Sequence, residues 1–127
     1  ACSASLTALD LARRSLATGQ CQQALVGAVN LLLDPALFLA FSRLGMLSPS
    51  NRCHAFDAAA DGFVRGEGAV MLLLKPMTTV KEEDPVEAVV LTTALNQDGR
   101  SQGITVPNQQ AQEALLALPF GNPAMVA

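Results

Sequence analysis

The 127-residue sequence predicts an α/β fold. Three observations carry that expectation. One segment places apolar residues at helical spacing, two apolar runs are short and sharply terminated, and half of the chain is hydrophobic, enough for a packed core. The longest unbroken apolar stretches are six residues, Ala36–Phe41 and Ala69–Leu74. A membrane-spanning helix needs about 20, so a soluble chain without a membrane partner is expected.

The first element, Ser3–Thr18, reads as a helix because Leu9, Ala12 and Leu16 recur at spacings of three and four while Asp10, Arg13 and Arg14 face elsewhere. Gly19 supplies its stop. Ala24–Leu33 has the length and apolar character of a strand buried on both faces, ended by Asp34-Pro35. Ala36–Leu47 predicts a short helix and loop closed by Ser48-Pro49, and Ser50–Gly68 is too polar and glycine-bearing for a regular element. Ala69–Leu74 predicts a second buried strand, stopped by Lys75-Pro76, and Thr78–Asp84 a charged turn. Val86–Leu95, rich in Val, Leu and Thr, predicts a third strand, with Asn96–Gly103 a polar loop. Asn108 can cap a last helix, Gln109–Leu118, which Pro119 halts. Alternation of helices and strands is the α/β pattern. Residues 119–127 have no periodicity and read as a divergent or truncated tail behind a domain at 1–118.

Charge and composition remove some functions. Eight Lys+Arg against 11 Asp+Glu leave a net charge of −3, and the pI is near 4.9. With no basic run, no Trp and no Tyr, nucleic acid is not an expected partner. Cys2, Cys21 and Cys53 form neither a CxxC pair nor an even disulfide set, which suits thiols in a reducing, cytoplasmic compartment.

Cys2 stands immediately before the first helix, where the positive end of the helix dipole and unpaired backbone N–H groups favour a thiolate. That placement suits a nucleophile, while a small packed residue at a helix start is the plainer alternative. Cys53-His54 invites a metal reading, but adjacent side chains rarely converge on one ion and no second ligand pair exists, so His54 is expected as a surface residue. Gly66-Glu67-Gly68 begins like a dinucleotide fingerprint, but Met71 stands where the third glycine belongs and a strand follows.

Five ordered motifs then point one way. Ala1-Cys2-Ser3-Ala4-Ser5-Leu6 resembles the nucleophile motif of β-ketoacyl synthases, and Gly27-Ala28-Val29-Asn30 is similar to the family's G-G-V-N strand end. Phe41-Ser42-Arg43-Leu44-Gly45-Met46-Leu47-Ser48-Pro49 resembles F-S-x-x-G-M-L-S-P. Phe56-Asp57 with Asp61-Gly62-Phe63-Val64-Arg65-Gly66-Glu67-Gly68 resembles F-D-x-x-x-D-G-F-V-R-G-E-G. Asn96-Gln97-Asp98-Gly99-Arg100-Ser101, followed by Gly103-Ile104-Thr105 and Pro107-Asn108, is similar to the segment found in modular type I polyketide synthases.

The resemblance covers Ala1 to about Leu116. It implies a partial thiolase-like αβαβα layered fold, the end of the N-terminal half plus the start of the C-terminal half. It also implies decarboxylative Claisen condensation, in which Cys2 takes an acyl group from the phosphopantetheine of an acyl carrier protein and a malonyl-derived carbanion attacks the thioester. No cofactor is implied on the chain itself. Phe41 matches a residue lining the acyl pocket, against ordinary core packing, and Thr105 one contacting the pantetheine arm, against a loop hydroxyl bonding its own backbone. Asp57, Asp61 and Glu67 are implied to organise the loop, by capping turns or pairing Arg52 or Arg65. The family's two catalytic histidines lie in an H-G-T-G-T motif and a later G-H motif, and neither occurs here, so the chain alone is expected to be inactive. Thr78–Asp84 is shorter than the usual family connection and lacks its glycine, and the family pattern is lost after Leu116. The resemblance further implies a homodimer through Ala24–Asn30. A fatty-acid synthase, a truncated relic keeping only a dimerising surface, and a cysteine hydrolase using His54 are the alternatives. Asn96–Ser101 argues against the first, and His54 is a poor base for the last.

Overall fold

The computed structural model describes residues 2–118. The elements run α1 (Ala4–Ala17), β1 (Ala24–Asn30), α2 (Ala36–Arg43), β2 (Gly68–Leu74), a 3-10 turn (Met77–Thr79) and α3 (Gln109–Leu116). The mixed helix and strand pattern is the expected α/β one. The expected tail, 119–127, lies outside the described residues.

β1 and β2 form a two-stranded sheet. Asn30 donates from Nδ2 to the Gly66 carbonyl, while a Cβ on Gly27 would stand 3.3 Å from the Met71 methyl. Residue numbers therefore run in opposite senses along the two strands, and the pair is antiparallel.

The described residues divide into two compact units, one comprising those up to Gly27 with those of 71–118, the other Ala28–Val70. The first holds the core of Leu16, Val26 and Leu74, flanked by Ala8, Leu9, Ala12, Cys21 and Ala24. Of the helical stripe of α1, Leu16 is thus buried and Leu9 and Ala12 are half-buried against it, as their spacing requires. The helix ends in a Schellman motif, in which the Gly19 N–H meets the Leu16 carbonyl at 3.1 Å and the Gln20 N–H the Ser15 carbonyl at 2.9 Å. Gly19 adopts φ +71°, which glycine reaches without a Cβ penalty.

Five expectations are corrected. Asp10 does not face away with the other polar residues of α1, because it is only 1% exposed. The first strand stops at Asn30, short of Leu33, and neither strand is buried on both faces: Leu25 and Val29 of β1 are 69% and 70% exposed, and of β2 only Leu74 is buried. A strand is covered on both faces only when layers pack on each side, and a two-stranded sheet with one small core covers only part of its surface. The third strand, Val86–Leu95, is absent as a regular element, with a single bridge residue at Val90. Strand propensity cannot replace a neighbouring strand to take the backbone N–H and C=O groups. The last helix ends at Leu116, two residues early, although Asn108 caps it as expected, accepting from the Ala111 N–H at 3.2 Å. Among the described residues, no helix is long and apolar enough to cross a membrane.

Candidate functional site

Cys2 is an exposed free thiol two residues before α1. Ser3 occupies the cap position, but its side chain makes no capping bond, and the first turn carries no acidic residue. The first N–H groups of the helix consequently have no side-chain acceptor. The helix behind them is well fixed. Asp10 is ion-paired with Arg14 at 2.7 Å, and Thr93 donates its hydroxyl to Asp10 while accepting from Arg13 Nε at 2.7 Å. This link across 83 residues ties α1 to the Val86–Leu95 segment. Sequence reasoning missed it. An i,i+4 acid–base pair was legible, whereas the burial of Asp10 and the distant hydroxyl were not.

Thr105 is exposed in the turn Gly103–Val106, closed by a 3.0 Å bond from the Val106 N–H to the Gly103 carbonyl. The preceding polar loop is drawn onto α3. Asn96 donates to the Ala111 carbonyl at 2.6 Å and Asn108 to the Asp98 carbonyl at 2.9 Å. Between them opens a hollow of about 940 Å³, lined by Arg100, Ser101, Val106, Asn108, Gln109 and Glu113 among others. Thr105 adjoins this wall without being part of it.

Cys2 and Thr105 belong to the first unit and Phe41 to the second. Phe41 is half-buried on α2 and meets the Phe63 ring edge-on, with centroids 5.9 Å apart at 65°. Phe63 is brought there by a parallel bridge with Leu47, made of 3.0 Å bonds from the Phe63 N–H to Met46 and from the Ser48 N–H to Phe63. Arg65 lies over the rings of Phe38 and Phe41 at 4.9 and 5.0 Å.

Asp57 and Asp61 bond within their loop whereas Glu67 reaches outside it, and among the described residues none of the three pairs with arginine. Asp57 accepts from the Ala59 N–H at 2.8 Å and Glu67 from the Leu32 N–H at 3.0 Å. A hydrogen bond from Ser48 holds the Asp61 carboxyl below its ordinary range, against a smaller opposing effect of desolvation and with help from Ser50 and His54. His54 is half-buried, not a free surface residue, with Nε2 3.1 Å from Ser50 Oγ and φ +44°. Asp61 reaches the same Ser50 hydroxyl at 3.4 Å. In a hydrolytic triad the acid orients the histidine, whereas here acid and imidazole converge on one serine. Cys53 accepts the Val64 N–H at Sγ, 3.3 Å away. Among the described residues no three His, Cys, Asp or Glu side chains are grouped to hold a metal.

Residues 1–79 match the family model described as β-ketoacyl synthase, N-terminal domain. The chain belongs to the β-ketoacyl synthase family. It is 51% identical over 126 residues to one subunit of the phenolphthiocerol/phthiocerol polyketide synthase of Mycobacterium tuberculosis (strain CDC 1551 / Oshkosh), covering 98% of this chain and 7% of that protein. It is 49% identical over 117 residues to cyclo-acetoacetyl-L-tryptophan synthase of Aspergillus oryzae, covering 91% of this chain and 3% of the relative. Among solved structures it matches the ketosynthase from module 6 of the bacillaene synthase of Bacillus subtilis 168 with a TM-score of 0.85 and 40% identity, over 91% of this chain and 21% of that one. An oxazolomycin ketosynthase domain of Streptomyces albus matches with a TM-score of 0.82 and 41% identity, over 91% and 20%. The β-ketoacyl synthase segment thus has part of the thiolase-like fold and spans a small fraction of the relatives it matches. The fatty-acid, relic and hydrolase alternatives are not favoured by these likenesses.

Proposed function

We propose that this segment supplies the nucleophile side of a polyketide-synthase ketosynthase site, with Cys2 as the acyl acceptor. The carrying observation is an exposed free thiol at the start of α1 within the matched family region. The Cys2 thiolate attacks the carbonyl of an acyl thioester on the phosphopantetheine of an acyl carrier protein. The carbonyl–pantetheine sulfur bond breaks, the pantetheine thiol leaves, and the acyl group remains on Cys2. Decarboxylation of a malonyl thioester releases carbon dioxide and leaves a carbanion, which attacks the acyl-Cys2 carbonyl. The β-ketoacyl product departs on the carrier and the thiolate returns. Unfilled backbone N–H groups at a helix start are the kind of donor that stabilises the oxyanion of each step.

In this reading Phe41 lines the acyl pocket, supported by its aromatic packing on α2, and Thr105 contacts the pantetheine arm beside the hollow next to α3. The site works in a cytoplasmic homodimer. β1 has β2 on one edge and no strand on the other among the described residues, which is compatible with pairing there. Condensation also requires the family's two histidine motifs. This chain has His54 alone, so the segment by itself is inactive in our reading.

The experiment is acylation of the complete ketosynthase domain carrying this segment by a radiolabelled acyl thioester, with peptide mapping. Label is expected on Cys2, and Cys2→Ala should abolish it. Undiminished acyl-enzyme in Cys2→Ala would make another residue the nucleophile.

A further inference from the structure

The loop after Cys53 returns to α2 with two side chains of different character. Phe63 packs against Phe41 with the two rings inclined at 65°, and Arg65, two residues on, lays its guanidinium over both Phe38 and Phe41. Phe38 and Phe41 are three residues apart on one helix, so they share a face. A guanidinium is planar and weakly hydrated, which suits it to aromatic faces. The neighbouring carboxylates do not claim this cation, since Asp57 accepts from the Ala59 N–H, Asp61 from the Ser50 hydroxyl and Glu67 from the Leu32 N–H. Among the described residues Arg65 forms no ion pair, and its Nη1 is buried without a hydrogen-bond partner. Its orientation is therefore set by the two rings, and the Phe41 ring in turn contacts both this cation and the inclined Phe63 ring.

We propose that Arg65 is a positioning residue for Phe41 and, through that ring, sets which acyl chains the site accepts. The inference rests on the reading of Phe41 as a wall of the acyl pocket. Arg65 does not touch the acyl chain. It clamps the ring so that Phe41 cannot swing aside and deepen the pocket for a longer chain. Lysine has a point charge but no plane to lie against two rings, and methionine keeps length without charge.

The test uses the complete ketosynthase domain carrying this segment and compares kcat/KM for acylation by acetyl and octanoyl thioesters. Arg65→Met is expected to raise the octanoyl-to-acetyl ratio about 5-fold, with Arg65→Lys between it and the parent. Phe41→Ala should raise the ratio at least as far, and Phe41→Ala/Arg65→Met should match Phe41→Ala alone, because Arg65 acts only through the ring. Equal losses for both substrates at an unchanged ratio would make Arg65 merely structural and overturn the proposal, as would additive ratios in the double variant. If Arg65→Met does not fold, Arg65→Lys carries the same comparison. A ratio that responds to Phe41→Ala but to neither Arg65 variant overturns this inference alone. A ratio indifferent to Phe41→Ala overturns the pocket reading and this inference with it.

Discussion

Thr93→Val isolates the link that ties α1 to the rest of its unit. Valine keeps the shape of threonine, so the change removes one hydroxyl with little loss of packing. That hydroxyl serves two partners, donating to Asp10 and accepting from Arg13. Asp10 is 1% exposed and cannot recruit water to replace it. A hydrogen bond to a charged group contributes about 1.5–3 kcal/mol, and the Arg14 partner, 60% exposed, adds little through its solvated charge. The expected loss is about 2 kcal/mol, roughly 30-fold in the folding equilibrium. Urea unfolding followed by circular dichroism reads this as a midpoint lowered by about 1 M at unchanged slope. Asp10→Ala completes a double-mutant cycle, in which a coupling of about 1–2 kcal/mol is expected. A Thr93→Val loss below about 0.5 kcal/mol, or no coupling to Asp10, would show that the buried carboxylate is satisfied without this hydroxyl and refute the argument.

Two further expectations concern the loop after α2 and the acid side of stability. Gly62 has φ +141°, and a Cβ there would meet the Ser48 nitrogen at 2.5 Å and the Leu47 carbonyl carbon at 2.7 Å, both backbone. Gly62→Ala should therefore cost more than about 2 kcal/mol in urea unfolding, while Gly66→Ala, with open space around its Cβ position, should cost under about 0.5. The Lys75 ammonium, by its hydrogen bond, and the Lys81 backbone N–H hold the Asp84 carboxyl below its ordinary value. A depressed folded-state value means that the contribution is present above the unfolded pKa of about 3.9 and is lost as pH falls through the folded one. Carbon-detected NMR should find Asp84 titrating below a reference aspartate in the parent chain, and Lys75→Met should return it towards that reference; an unmoved midpoint would refute the pairing.

Elements with a local cause were legible in advance. The helical stripe Leu9, Ala12 and Leu16, the glycine stop at Gly19 and the Asn108 cap all act within a few residues, and each stands where its spacing puts it. Val86–Leu95 shows the converse, since its composition suits a strand but a ladder requires a neighbour that composition cannot provide. The candidate site divides in the same way. Cys2 was legible as a thiol at a helix start, and Asp57 and Asp61 as carboxylates that bond within their loop, while Glu67 reaches Leu32 outside it. Pairing with Arg52 or Arg65 was one of the roles expected of these carboxylates, but Arg65 lies instead on two rings, while the carboxylates accept from backbone N–H groups and a serine hydroxyl.

The sequence by itself determined the family, through five motifs in fixed order, and the position of Cys2 before the first helix, because both are carried by residues close together along the chain. Tertiary structure alone decided that Asp10 is buried and bonded to Thr93, that Arg65 lies over the Phe41 ring, and that apolar strand positions such as Leu25 and Val29 remain exposed. Burial and pairing depend on what packs against a side chain from distant positions, and residue spacing encodes only the local half of that contact.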